Sequence, residues 1–172
     1  MNGVEVIDNF LNNQEYEKLL QMYEDFFPWN FSKILMEKDL ICDKKYNNHY
    51  THGIYKNNEP TSEFFYNIAP ILKKAKVRSL VRSQINSSNR EDEVVIYGLH
   101  IDETFCENPE GNDGLKSSIF YMNTNDGFTI FEDGTKVESV QNRLVTFPSN
   151  LKHSGTTCTN ALRRLVINLV YF

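Results

Sequence analysis

Arg163-Arg164-Leu165-Val166-Ile167-Asn168-Leu169-Val170-Tyr171-Phe172 reads as one long β-strand, because β-branched and aromatic side chains dominate it. Side chains alternate faces along a strand, so Arg163, Leu165, Ile167, Leu169 and Tyr171 share one face. Arg164, Val166, Asn168, Val170 and Phe172 share the other. The first face is the more apolar and is expected to pack against helices. The second then points Arg164 and Asn168 into the interior. A buried guanidinium requires an anionic partner, and no acidic residue in neighbouring strands is an obvious one. A ligand is therefore the expected partner of Arg164, with an internal salt bridge as the alternative.

Working upstream, segments near 153–158, 143–147, 135–140, 127–132, 117–122, 94–101 and 77–85 are short and rich in Val, Ile, Phe, Tyr and Thr. Gly, Asn, Asp and Pro separate them. Before residue 77 the periodicity becomes helical. Asn12 or Asn13 caps a helix over about 14–26, and Pro60-Thr61-Ser62 opens another over about 61–74. Val4–Ile7 reads as a short strand, and residues 30–58 as short strands and loops. Two amphipathic helices followed by many short strands predict an α+β fold, a double-stranded β-helix (jelly roll) with N-terminal helices packed on one sheet. The 172 residues fit one domain, 1–172, with 1–76 as helical support and 77–172 as jelly-roll core.

Such a length buries roughly 70% of the unfolded surface, enough for a core without disulfides. Cys42, Cys106 and Cys158 include no close pair, which argues against a disulfide framework or a Cys-rich zinc site and for a reducing, cytoplasmic setting. The N-terminal residues lack a signal-peptide pattern and no apolar run is long enough to span a bilayer, so a soluble protein without a membrane partner is expected. A net charge of -5 disfavours nucleic acid as a partner. Lys73, Lys74, Lys76, Arg78 and Arg82 form a local basic cluster, read as a solvated helix end running into a strand, or as a dock for an acidic partner.

The chemistry centres on His100-Ile101-Asp102. In extended backbone, residues i and i+2 project to one side, so His100 and Asp102 can meet one metal ion. A polar, Gly-bearing run, 103–116, follows them and reads as a mobile lid. His153, beyond the strand Arg143-Leu-Val-Thr-Phe147, supplies the third ligand. Two imidazoles and one carboxylate on one face of an octahedron form the open site of non-haem Fe(II) oxygenases. The bland alternative is a surface turn with a cap. His49 and His52 lie in an irregular stretch without a carboxylate at matching spacing, and are read as pocket-rim or solvent residues rather than ligands.

On these elements the chain resembles the Fe(II)/2-oxoglutarate-dependent oxygenases, in particular the prolyl 4-hydroxylase-like branch. The resemblance covers about residues 77–172 and rests on His100-x-Asp102, Ile119–Asn123, Gly127–Phe131, Asn142–Phe147, His153 and Arg164. It implies that His100, Asp102 and His153 hold Fe(II), and that Arg164 clamps the distal carboxylate of 2-oxoglutarate. Arg163 is the alternative clamp, because the interval from His153 is slightly long for the family. Tyr121 stands where a family tyrosine donates its hydroxyl to that carboxylate. A single Gly127 stands where relatives often carry a pair, Thr129 and Asn168 are secondary pocket contacts, and Tyr97 either orients a ligand or packs in the core.

The implied reaction consumes O2 and 2-oxoglutarate, releases succinate and CO2, and hydroxylates a substrate, with ascorbate as a candidate reductant. The implied substrate is a peptidyl, prolyl-like residue, with a small molecule as the alternative. From another functional class, the rival is a non-catalytic metal-binding jelly-roll module. A cupin-like enzyme with a different metal is a further one, and neither rival requires Arg164.

Overall fold

The computed structural model describes residues 3–23, 27–33, 48–102 and 114–172. Cys42, Cys106, the end of the first expected helix and most of the 103–116 run lie outside the described residues.

β1 (Glu5–Ile7) leads into α1 (Asn13–Leu20), where Asn12 closes a capping box. Its Oδ1 accepts from Glu15 N at 2.9 Å while Glu15 Oε2 accepts from Asn12 N at 3.2 Å, satisfying two donors at the helix start. One 3-10 turn, Gln21–Tyr23, extends α1. β2 (Asn30–Lys33), β3 (Asn48–Lys56) and β4 (Glu59–Pro60) follow. The second expected helix divides into a 3-10 stretch, Glu63–Ile68, and α2 (Ala69–Lys74). Pro70 marks the break: it has no N–H to donate one turn back, and it sits in the first turn of α2, where that missing donor is tolerated.

The remaining strands are β5 (Leu80–Asn89), β6 (Lys116–Tyr121), β7 (Phe128–Phe131), β8 (Lys136–Glu138), β9 (Arg143–Pro148), β10 (His153–Ser154) and β11 (Arg163–Tyr171). An antiparallel sheet runs β1-β9-β6-β11-β5-β3-β2, with β4 beside β3. A smaller sheet runs β10-β7-β8. The two stacked sheets, with helices on the outer face of the larger, form the expected jelly roll.

The alternation along β11 divides the interior into two layers. Leu165, Ile167, Leu169 and Tyr171 join Phe10, Leu19, Ile68, Ile71 and Phe120 between the helices and the large sheet. Val166 faces the other way and packs with Ile119, Tyr121, Phe131, Val145 and Phe147 between the sheets. The long central strand therefore has no solvent face, which explains its near-continuous hydrophobicity.

Two sequence expectations are corrected. Residues 94–101 form no continuous strand: the segment is extended and joins the smaller sheet only through isolated bridges, Ile96 with Thr156 and His100 with His153. Its apolar run is only partly covered, with Ile96 exposed. Conversely, β3 is a nine-residue strand inside the stretch read as short strands and loops. His49 and Thr51 line a cavity, so their polarity hides the alternation that marks a half-buried strand. Among the described residues, no helix is long and apolar enough to cross a membrane.

Candidate metal and co-substrate site

His100 and His153 meet because their backbones pair. His100 N donates to His153 O at 2.9 Å, His153 N donates to His100 O at 2.9 Å, and the two rings lie 4.7 Å apart. Asp102, two residues on, projects to the same side. The ligand atoms of His100, Asp102 and His153 all lie within 4.8 Å of one another. His153 is buried, Asp102 has a side chain only 4% exposed, and His100 stands at the exposed edge.

Each imidazole is pinned in a usable tautomer. His100 Nδ1 lies 3.2 Å from Gly98 O, and His153 Nδ1 lies 3.0 Å from Leu151 O. A carbonyl can only accept, so both Nδ1 atoms carry the proton and both Nε2 lone pairs remain for a metal. Asp102 Oδ1 accepts from Arg82 Nη2 at 3.1 Å, and Oδ2 accepts from Ser117 Oγ at 2.6 Å. The set of two neutral imidazoles and one carboxylate suits a divalent transition metal.

Burial holds the His153 pKa below the usual histidine value, opposed by Asp102 and reinforced by His100 and Arg82. Burial and His100 depress His49 likewise. Below about pH 6.5 the unfolded chain protonates these histidines while the fold resists it, so the unfolded state binds more protons. The stability linked to them is thus complete above that pH and is lost as pH falls toward the depressed folded values. Melting of the metal-free protein at pH 7.5 and 5.5 is expected to show a lower midpoint at pH 5.5. Replacing His49 with Gln should reduce that difference.

A cavity of about 410 Å³ opens between the sheets, and His100, Asp102, His153 and Arg164 all line it. Arg164 is 4% exposed. Its Nε donates to Ser139 Oγ at 2.8 Å and its Nη2 to Thr129 Oγ1 at 3.1 Å, both neutral partners. Among the described residues it forms no ion pair. Burial pulls its pKa below the ordinary arginine value, the signature of a cation that water no longer solvates.

Tyr121 stands one layer behind. Fully buried, it donates its hydroxyl to Thr129 Oγ1 at 2.7 Å, and its ring lies 5.5 Å from the Arg164 guanidinium carbon. Burial pushes its phenol up. Tyr121 is not among the cavity-lining residues, whereas Thr129 is. Arg163 also lies off the cavity wall, and its carbonyl accepts from Asn123 Nδ2. Tyr97 and Asn168 line the cavity, and Asn168 Oδ1 is buried without a hydrogen-bond partner among the described residues.

The two remaining histidines separate by strand parity. His49 lines the cavity with Nδ1 buried and without a partner among the described residues. His52 faces the helices, bonded to Pro28 O at 2.9 Å and Ser62 Oγ at 2.7 Å, and packs edge-on to Phe27 and Phe64. The sequence groups Arg82 with the basic cluster, yet in the structure it lines the cavity and bonds Asp102. A legible signal existed: Arg82, Gln84, Asn86 and Ser88 share one parity of β5, and all four line the cavity. A polar face in a central strand marks a pocket wall.

Gly127 is needed for space. A Cβ there would stand 2.6 Å from Thr157 O, 2.7 Å from Arg164 Cδ and 2.8 Å from Asn125 Oδ1. Asn125 Oδ1 is held by the Gly127 N–H and Thr157 O is backbone, so the Arg164 side chain is the readiest of the three to shift, while the contact with Thr157 O still strains the backbone. Gly127→Ala is expected to cost about 1–3 kcal/mol of stability and to weaken anion binding at Arg164, measured by thermal denaturation and by ligand titration.

No family model and no curated protein matches the chain. Solved structures do. The viral collagen prolyl hydroxylase of Paramecium Bursaria Chlorella virus-1, in its 2OG complex, superposes with a TM-score of 0.62 at 15% identity, over 98% of this chain and 95% of that one. A Trichoplax adhaerens prolyl hydroxylase, in complex with a hypoxia inducible factor peptide fragment, gives 0.62 at 15% identity, over 99% and 84%. A 2OG-Fe(II) oxygenase family oxidoreductase from Burkholderia pseudomallei gives 0.63 at 15% identity, over 98% and 84%. Near-complete coverage at so low an identity is a likeness of architecture, and the chain is thus built on the jelly-roll fold of the 2OG-Fe(II) oxygenase and prolyl hydroxylase structures.

Proposed function

We propose that this protein is an Fe(II)- and 2-oxoglutarate-dependent dioxygenase that hydroxylates a peptidyl, prolyl-like residue and releases succinate and CO2. One observation carries the reading: a buried arginine without a counter-ion among the described residues lines the same cavity as two imidazoles and a carboxylate. A metal-binding module has no use for the arginine, whereas a dicarboxylate co-substrate needs both ends.

His100, Asp102 and His153 would hold the metal, which supplies activation of O2 when bound, with ascorbate as its reductant. Three protein ligands leave about half of an octahedral shell for other groups. Arg164 anchors the distal carboxylate by charge-assisted hydrogen bonds, and Thr129, buried beside it, adds a hydroxyl. Tyr121 orients Thr129 through its own hydroxyl and backs the guanidinium with its ring. These groups position the co-substrate; none of them moves a proton to the reacting atoms. The peptide substrate is supported by the neighbour that holds a peptide fragment.

The test is succinate release from 2-oxoglutarate by Fe(II)-loaded protein with ascorbate, alone and with prolyl peptides. Metal-dependent succinate formation that peptides stimulate supports the reading. Tight metal binding with neither 2-oxoglutarate binding nor succinate would overturn it and favour a binding module.

A further inference from the structure

Asp102 has both carboxylate oxygens occupied before any metal arrives. Arg82 holds Oδ1 at 3.1 Å and Ser117 holds Oδ2 at 2.6 Å, while Oδ2 also lies 3.8 Å from His153 Nε2. The two donors are placed by sheet register. Arg82 on β5 and Ser117 on β6 both pair with Val170 of β11, one on each side, so they stand in one row across the large sheet and face Asp102 together.

We propose that Arg82 is a positioning residue that keeps Asp102 a one-oxygen ligand. The proposal rests on the metal-binding half of the proposed function. A free carboxylate can chelate a metal ion with both oxygens, and doing so here would consume a position that the open facial site must leave vacant. Oδ2, on the His153 side, retains a lone pair beyond the one Ser117 uses, because each carboxylate oxygen accepts about two hydrogen bonds. Oδ1 is engaged by a guanidinium, whose charge-assisted bond is about twice as strong as a neutral one. A purely structural account would have Arg82 only compensate the burial of Asp102.

The experiment counts exchangeable water on protein-bound Mn(II), by water-proton relaxation and electron–nuclear double resonance, without 2-oxoglutarate. Wild type is expected to show about three metal-bound waters out of six positions. Arg82→Leu should lose one of them, as Asp102 swings to two-oxygen binding, with Mn(II) affinity unchanged or higher. Arg82→Lys, which restores a charged donor, should recover the wild-type count. Ser117→Ala, which leaves Oδ1 held, should not change it. If Arg82→Leu does not fold, Arg82→Met carries the same readout.

An unchanged count in the Arg82 variant, with Mn(II) affinity and melting midpoint falling together, overturns the proposal in favour of the structural account. So does a wild-type count one lower than expected. The outcomes also separate the two readings. A wild type with the expected count but no affinity for 2-oxoglutarate sinks the oxygenase reading and leaves the role of Arg82 standing. Normal 2-oxoglutarate binding with an unchanged count sinks only the latter.

Discussion

Replacing Arg164 with methionine is expected to weaken 2-oxoglutarate binding to the Mn(II)-loaded protein by about 2–5 kcal/mol, roughly 30-fold or more. The metal-free protein should remain as stable as wild type or become more so. The two effects run in opposite directions for one reason. Arg164 is almost fully buried, and its partners Ser139 and Thr129 are hydroxyls that carry no charge. An uncompensated buried cation is a cost to the empty fold, and an apolar side chain of similar volume removes that cost. With a dicarboxylate bound, the same cation is the main source of affinity. Calorimetric titration and thermal denaturation of one variant read both signs. Retained 2-oxoglutarate affinity in Arg164→Met would mean that the anion binds elsewhere.

The second large effect concerns the metal. At free Mn(II) near 100 times its dissociation constant, the folded state gains about 2.7 kcal/mol. For a chain of this size that raises the melting midpoint by roughly 5–11 °C. His100→Ala should abolish the shift at the same Mn(II) concentration. Because His100 is exposed, its loss is expected to cost the metal-free fold no more than about 0.5 kcal/mol. His153→Ala is the contrasting variant. Its ring is buried against Phe147 and His100, so both the metal-free midpoint and the Mn(II) shift should fall. A persistent Mn(II) shift in His100→Ala would relocate the metal site.

Legibility of the fold tracked the simplicity of each element's environment. β11 was readable because both of its faces are covered, and its parity correctly separated the helix-facing Ile167 from the cavity-facing Arg164. β3 was not, since one face lines a polar cavity while the other packs on aromatic rings, so neither alternation nor a hydrophobic run appears in its sequence. The segment 94–101 misled in the opposite sense: Val94-Val-Ile-Tyr has strand composition, but pairing depends on whether a neighbour's backbone is in register, and only isolated bridges form there.

The sequence by itself determined which donor groups come together: residue types and two-residue spacing put an imidazole and a carboxylate on one side of an extended segment, and strand parity separated Arg164 from the helix-facing side chains. Those are local facts, set by residue spacing along an extended backbone. Tertiary structure alone decided which groups hold those residues in place. Arg82 and Ser117 converge on Asp102 from strands 35 positions apart, and Tyr121 reaches Thr129 rather than the cavity. Such contacts depend on the register of β5, β6 and β11 across the sheet, which is set by how the whole core packs rather than by any window of the chain.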